Sequence, residues 1–240
     1  VLKPLTSKLH DIRIYANANT CLGIIAFFDT KDGLDLPAPW ISASASVSSL
    51  TDSFILIVGG GSNCGRFATQ LARLTGFGTI VVVGGNESEL ISFGATHVVE
   101  RHGGHDTVLE RIRAIAGDDL IYAFDAYNAP NEQHLAINAL SNLKQGKLAR
   151  LVWSRGSVQE DMIREKAKGY ELKNVLGISH LKPDVATPFW QHATEYLALG
   201  KIKPLEFVSV QGLDVDKVNE VLDAYRDGKR VVQTHFRVSG

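Results

Sequence analysis

Apolar residues along this chain fall into short runs separated by stretches of helical spacing. Phe54–Val58 is unbroken and rich in β-branched residues, which predicts a strand buried on both faces. Phe67, Ala68, Leu71, Ala72 and Leu74 then recur at helical spacing, and Gly76 stands where a C-cap belongs. The alternation continues. Ile80–Val83 predicts a second strand, Glu87–Phe93 a short helix closed by Gly94, and His97–Val99 a third strand. Asp106 is placed to cap a helix carrying Val108, Leu109, Ile112 and Ile115, ending at Gly117. Leu120–Phe124 reads as a fourth strand, and Leu135, Ala139, Leu140 and Leu143 as a helix that stops at Gly146. Leu148–Trp153 and Asn174–Ile178 read as the fifth and sixth strands. Thr187 and Pro188 make an N-cap and N1 pair for a helix through Leu199. Asp214–Tyr225 is a further helix with Val218, Val221, Leu222 and Tyr225 inward, and Gln233–Val238 a closing strand.

The flanks are less regular. Ile14–Phe28 has a loose apolar face, which Asn17 and Asn19 weaken. Gly33–Trp40 contains Pro37 and Pro39 and should be an extended turn. Ser42–Ser49 reads as a linker, and Arg155–Gly169 as a charged, mobile-looking segment. Together these elements define an α/β fold, a doubly wound parallel sheet of Rossmann-like type, flanked by an N-terminal helix and C-terminal helices. The expected division is a helical segment and linker over 1–49, then the sheet domain with its C-terminal extension over 50–240. Right-handed crossovers would bring the turns at 59–65, 84–86, 100–102, 125–128 and 153–155 to one edge, where ligands bind such sheets.

The turn after the first strand, Gly59-Gly60-Gly61-Ser62-Asn63-Cys64-Gly65, leaves backbone N–H groups at a helix N-terminus, a ready anion site. The pattern G-x-G-x-x-G fails on its third glycine, where Cys64 stands. A P-loop reading fails because Arg66 and Phe67 replace the Lys and the Ser/Thr that nucleotide hydrolysis needs. A shifted reading, Ser62-x-x-Gly65-x-x-Ala68, keeps small residues where helix must pass strand. A plain turn is the alternative, but three consecutive glycines cost backbone entropy that such a turn does not require.

The end of the second strand bears on the choice of cofactor. Gly84-Gly85-Asn86 offers no carboxylate to grip a ribose 2′-hydroxyl and none to repel a 2′-phosphate. Arg101, near the adenosine end, is either a phosphate or purine partner or one of a solvated surface pair with His102. His102-x-x-His105-Asp106 has the look of a metal cluster, but Gly103-Gly104 gives it no rigid frame, so a plain loop is expected. Asp125 is expected to fix nearby loops and Tyr127 to line the cleft. Cys64 reads as a small apolar filler, and no catalytic residue can be named.

Composition narrows the function classes. The 240 residues carry a net charge of −1, which gives no electrostatic case for nucleic acid or an anionic membrane. No apolar run reaches bilayer length. Two cysteines are too few for a disulfide scaffold or a four-thiolate zinc site, and a cytoplasmic location is the simpler expectation. The start, Val1-Leu2-Lys3-Pro4, has neither Met nor a signal core, as in a processed or truncated product.

As a set, these motifs resemble the medium-chain dehydrogenase/reductase superfamily, in particular its zinc-independent, quinone-reductase-like branch that includes fungal trans-acting enoyl reductases. The resemblance rests on Ile57–Gly65 with Phe67–Ala72, on Phe93–Val99, on Phe124-Asp125-Ala126, on Val175-Leu176-Gly177, on Gly228–Val232 and on Thr20–Trp40. It covers roughly residues 14–238. It implies NADP(H) in the sheet-edge crevice. Gly60, Gly61, Ser62, Asn63, Cys64 and Gly65 would lie near the phosphates, Gly84, Gly85, Asn86 and Arg101 near the adenosine end, and Ala126, Tyr127, Leu176 and Gly177 near the nicotinamide. It implies no metal and, for an active protein, a small-molecule enoyl, enone or quinone substrate. Two departures stand out within the motifs: Cys64 occupies a position where the family has Val, and Arg101 one where it has Tyr. Family members also carry an N-terminal barrel-like substrate domain of about a hundred residues, to which nothing here corresponds. Two expectations follow: an NADPH-dependent reductase or a fragment of one, weakly active by itself, or a catalytically silent cofactor-fold protein with a binding or regulatory role.

Overall fold

The computed structural model describes residues 18–40, 50–154, 156–227, 229 and 231–238. The predicted positions Ile14–Asn17, Ser42–Ser49 and Arg155 lie outside them, as do Gly228 and Arg230. The chain forms two compact units, Val1–Lys203 and Pro204–Gly240.

In the first unit, strands β1 (Phe54–Val58), β2 (Thr79–Val83), β3 (His97–Val99), β4 (Tyr122–Asp125), β5 (Gly146–Arg150) and β6 (Tyr170–Asn174) form one six-stranded sheet. Every pairing is parallel and the order is β3-β2-β1-β4-β5-β6, the doubly wound arrangement that the alternation predicts. Ile55 and Val82 thus lie on adjacent parallel strands. The helices are α1 (Ala18–Phe28), α2 (Asn63–Thr75), α3 (Glu87–Phe93), α4 (Gly104–Ala116), α5 (His134–Ala139) and α6 (Pro183–Ala198). The period of two along the central strands puts Leu56, Val58, Val81 and Val83 into one buried cluster with Val108, Leu109 and Ile112 of α4 and Leu135 of α5. Helix α1 packs on α2 and α6. Its Phe27 meets Phe124 of β4 edge-on at 5.9 Å, and Trp40 bridges Phe28 (4.7 Å) and Phe189 (5.4 Å). Lys182 Nζ ties the start of α6 to Asp29 (3.0 Å) and Asp32 (2.6 Å) just beyond α1.

Several predicted boundaries move, each for a physical reason. Helix α4 begins at Gly104 behind Gly103, so Asp106 sits in its first turn and does not cap it. Helix α5 ends at Ala139, well before Gly146, because Arg113 Nη2 takes the Asn138 and Leu140 carbonyls (2.8 and 2.7 Å). The next residues turn on the Asp118 carboxylate, leaving Leu143 72% exposed. Strand β6 lies four residues before its expected place. As a half-buried edge strand it tolerates the polar sequence Tyr170–Asn174, whereas the more apolar segment after it is a loop in which Leu176 is exposed. Strand β5 likewise ends at Arg150 rather than Trp153. Helix α6 starts with Pro183, which takes the early position that favours proline, so Pro188 falls inside the helix and leaves the Asp184 carbonyl without its helical donor.

Segment 156–169 is tethered. Asn138 Nδ2 donates to the Met162 carbonyl (3.0 Å) while its Oδ1 accepts from the Arg164 amide (2.8 Å). Arg164 also pairs with Asp106 at 2.9 Å. Lys166 Nζ donates to the Asn138 and Leu140 carbonyls, and burial pushes its ammonium down to about 8.

The second unit is a small β-α-β element: β7 (Phe207–Gln211), α7 (Val215–Arg226) and β8 (Gln233–Arg237), the strands pairing in parallel. The pattern does not predict β7. Asp214 caps α7 by accepting from the Lys217 amide, but Leu222 and Tyr225, expected inward, are exposed.

Candidate functional site

The C-terminal ends of β1, β2, β3 and β4 bring four turns to one edge of the sheet. The reversal of strand order falls between β1 and β4, where a crevice for ligand opens in such folds. Below it the glycine turn is tied to β2, because the amides of Gly59 and Gly60 both donate to the Val83 carbonyl (3.2 and 3.0 Å). Ser62 is the N-cap of α2. Its Oγ accepts from the Gly65 amide (3.0 Å) and donates to the Gly59 carbonyl (2.8 Å), so one hydroxyl locks the turn at both ends.

The glycines are not equivalent. Gly59 has φ +88, and a Cβ there would lie 2.6 Å from Tyr127 Cβ. A Cβ on Gly60 would meet Val82 Cγ1 at 2.3 Å, and one on Gly65 would meet the Gly59 carbonyl oxygen at 2.3 Å. The protein's own packing therefore requires these three. Gly61 differs. A Cβ there would make only an ordinary 3.4 Å contact with Gly85 Cα, so neither the protein's packing nor a positive φ requires glycine at this position. The turn is thus a cradle with its open side at Gly61, and it fits a dinucleotide pyrophosphate by shape and by the dipole of α2. Cys64 is buried, and burial pushes its thiol up to about 11, which suits a filler and not a nucleophile.

Around this cradle the structure brings most of the remaining predicted residues to the same edge. Gly84 and Gly85 both have positive φ, and a Cβ on Gly85 would lie 2.8 Å from the Gly61 amide nitrogen, so the turns after β1 and β2 touch. Asn86 caps α3, its Oδ1 accepting from the Glu89 amide (2.9 Å) and the Ser88 hydroxyl (2.7 Å). Arg101 lays its aliphatic stem over Gly84, and Arg111 holds the loop beneath by donating to the carbonyls of Glu100 (2.9 Å) and His102 (2.8 Å). On the other flank, the Ala126 amide donates to the Val58 carbonyl (3.1 Å), and Tyr127, 63% exposed, leans over Gly59. Leu176 and Gly177 follow β6; Leu176 is exposed, while Gly177 packs against Leu22 of α1.

Asp125 holds this flank together. Fully buried, it accepts from the amides of Tyr127 (3.0 Å) and Asn128 (2.8 Å) and from Asn128 Nδ2 (3.1 Å). Burial raises its carboxyl to about 6, against the pull of these donors. Gln133 is a positioning residue that the sequence pattern does not reveal. Its Nε2 donates to the carbonyls of Asn128 (3.0 Å) and Val152 (2.7 Å), joining the turns after β4 and β5, and its Oε1 accepts from Arg150 (3.0 Å). Only its burial within the fold marks it.

His102 and His105 do not converge. His102 lies 3.6 Å from Glu100, whereas His105 stacks on His134 with ring centroids 4.0 Å apart. Among the described residues no group of three or more His, Cys, Asp or Glu side chains is arranged to hold a metal, and no helix is long and apolar enough to cross a membrane.

A doubly wound sheet with a glycine cradle at its topological switch point defines the class of dinucleotide-fold proteins. No family model matches the chain. It is 30% identical over 131 residues to a zinc-type alcohol dehydrogenase-like protein of Schizosaccharomyces pombe, covering 54% of this chain and 36% of that protein. It is 26% identical over 199 residues to the trans-enoyl reductase himH of Aspergillus japonicus, covering 81% and 54%. Among solved structures, a mycobacterial protein complexed with NADPH superposes with a TM-score of 0.59 at 15% identity, over 90% of this chain and 61% of that one. The resemblance to the medium-chain dehydrogenase/reductase superfamily holds in both sequence and fold. The chain spans about half the length, or less, of these curated relatives.

Proposed function

We propose that the chain binds NADP(H) at the β1/β4 edge and is built for hydride transfer from NADPH to an enoyl, enone or quinone substrate. The observation that carries this reading is Gly61, a glycine that the protein's own packing does not demand, at the mouth of a cradle whose other glycines it does. A bound nicotinamide would supply the hydride. The chain's own part is to hold the phosphates at the amides of the Gly60–Gly65 turn and to shape the nicotinamide end with Ala126, Tyr127, Leu176 and Gly177. The similarity to a trans-enoyl reductase supports the substrate class, and the NADPH-complexed structural neighbour supports the cofactor. The reading includes zinc independence, a cytoplasmic setting and no nucleic-acid or membrane partner.

Preference for NADP(H) over NAD(H) follows from the turn after β2, which has no carboxylate at positions 84–86, and from Arg101 standing over Gly84. A well-formed charge-assisted contact from Arg101 to a 2′-phosphate contributes roughly 1.5–3 kcal/mol. Calorimetric titration of NADPH and NADH tests this. Arg101→Ala should weaken NADPH binding and leave NADH almost unchanged. Equal affinity for both cofactors in the parent chain, or an equal loss for both in the variant, would refute it.

The second reading is a cofactor-fold protein without catalysis. The exposure of Tyr127 and Leu176 favours it, because hydride transfer needs an acceptor held in place and screened from water. Turnover by the 240-residue chain is accordingly expected to be weak, and saturable NADPH oxidation with any activated enone or quinone would exclude the silent reading.

A further inference from the structure

The turns after β1 and β2 are joined by a side-chain bridge that the cofactor reading leaves unused. Arg66, in the first turns of α2, donates from Nε to Glu89 Oε2 of α3 at 3.0 Å and from Nη1 to Asn63 Oδ1 at 3.3 Å. Its guanidinium therefore lies between the first residue of α2, where a pyrophosphate would dock, and the first turn of α3, beside which an adenosine ribose would lie. Among the described residues its Nη2 amino group donates to nothing. The pair is neither a surface decoration nor buried: the side chains are 20% and 25% exposed. Arg66 is thus a cation between the two turns whose charge is largely offset by the single carboxylate of Glu89.

We propose that the Arg66–Glu89 pair is a specificity-determining element of the cleft, in which Arg66 recognises phosphate and Glu89 limits how strongly it does so. This rests on the dinucleotide reading above. A 2′-phosphate carries about 1.5–2 negative charges that a 2′-hydroxyl lacks, so whatever changes the charge balance here acts on NADPH more than on NADH. Removing the Glu89 carboxylate releases Arg66 to the ligand and removes a repulsion. Removing the Arg66 guanidinium leaves Glu89 unpaired against an anion.

The test is calorimetric titration of NADPH and NADH into the parent chain, Glu89→Gln, Arg66→Gln and the double variant. Glu89→Gln should tighten NADPH by ~5-fold and NADH by at most ~2-fold, the modest size reflecting partial solvent screening. Arg66→Gln should weaken NADPH by ~10-fold, and the double variant should return towards the parent. The readout is the NADPH-to-NADH affinity ratio, which a merely structural brace would not move. An unchanged ratio across the variants of a parent that binds NADPH overturns this proposal and leaves the cofactor reading standing. A parent that binds neither cofactor overturns both. Should Arg66→Gln fail to fold, Glu89→Gln decides alone, because Asn86 caps α3 through the Glu89 backbone amide and not its side chain.

Discussion

Replacing Gly61 with Ala separates what the fold needs from what a ligand needs. Gly61 is exposed and lies outside the positive-φ region, and a Cβ there would make 3.4 Å and 3.7 Å contacts with the Gly85 Cα and amide nitrogen. These are ordinary van der Waals separations, so the native state accepts the methyl. The unfolded chain loses conformational freedom, which stabilises such variants by about 0.4–1 kcal/mol. For a chain of this size that corresponds to a rise in Tm of roughly 1–4 °C. Affinity for NADPH should move the other way. A methyl group interposed between the cradle amides and a pyrophosphate holds the anion away from its donors, and a loss of at least ~1.4 kcal/mol, tenfold in Kd, is expected. Gly65→Ala is the control. Its Cβ would lie 2.3 Å from the Gly59 carbonyl oxygen and 2.9 Å from Gly60 Cα, backbone atoms with nowhere to go, so stability and binding should both fall. Scanning calorimetry and NADPH titration on the same preparations give both quantities. A Gly61→Ala protein that is as stable as the parent and binds NADPH equally well would show that no phosphate approaches this backbone.

Ser62→Ala removes the hydroxyl that caps α2 and closes the turn, and should lower stability by about 1 kcal/mol in thermal melts and weaken cofactor binding; an unchanged melt would refute the capping role. Asp125 has its folded-state pKa raised from 3.8 to about 6, so the native state binds the proton more tightly, and its contribution to stability is lost as pH rises from about 4 through about 6. Asp118 is lowered to about 2 and works in the opposite sense, but only below its ordinary 3.8. The Tm difference between the parent and Asp125→Asn should therefore shift in favour of Asn across pH 4–6, and a constant difference would contradict it. Gln133→Leu should loosen the turns after β4 and β5 together, detected as faster amide exchange at Leu151 and Asn128, and faster exchange at only one of them would show that Gln133 does not couple them.

The sheet was legible because its central strands are continuous apolar runs and its helices close on glycines: α3 and Gly94 fall where the pattern places them. The edges were not legible. Tyr170–Asn174 carries Glu171 and Lys173, which pair with each other at 2.7 Å, and so hides a strand in a polar sequence. Strand β7 hid in the same way, since Phe207–Gln211 alternates in a stretch too short to stand out. At the site, the cradle residues were legible from glycine spacing, and the Asp125 role from its place at a strand end. Gln133 and the Arg66–Glu89 pair were not, because the contacts that define them, Gln133 with Arg150 17 positions on and Arg66 with Glu89 23 positions on, are created by the fold.

The Asn138 side chain reaches across to segment 156–169 with one donor and one acceptor, as the peptide group of a neighbouring strand would. A single amide side chain thereby gives one backbone amide of this stretch, that of Arg164, the hydrogen bond of a sheet edge. Arg164 N–H should exchange with solvent as slowly as a ladder position, while unpaired amides on either side exchange fast. Proteolytic nicking should map to those sides and spare the residues opposite Asn138.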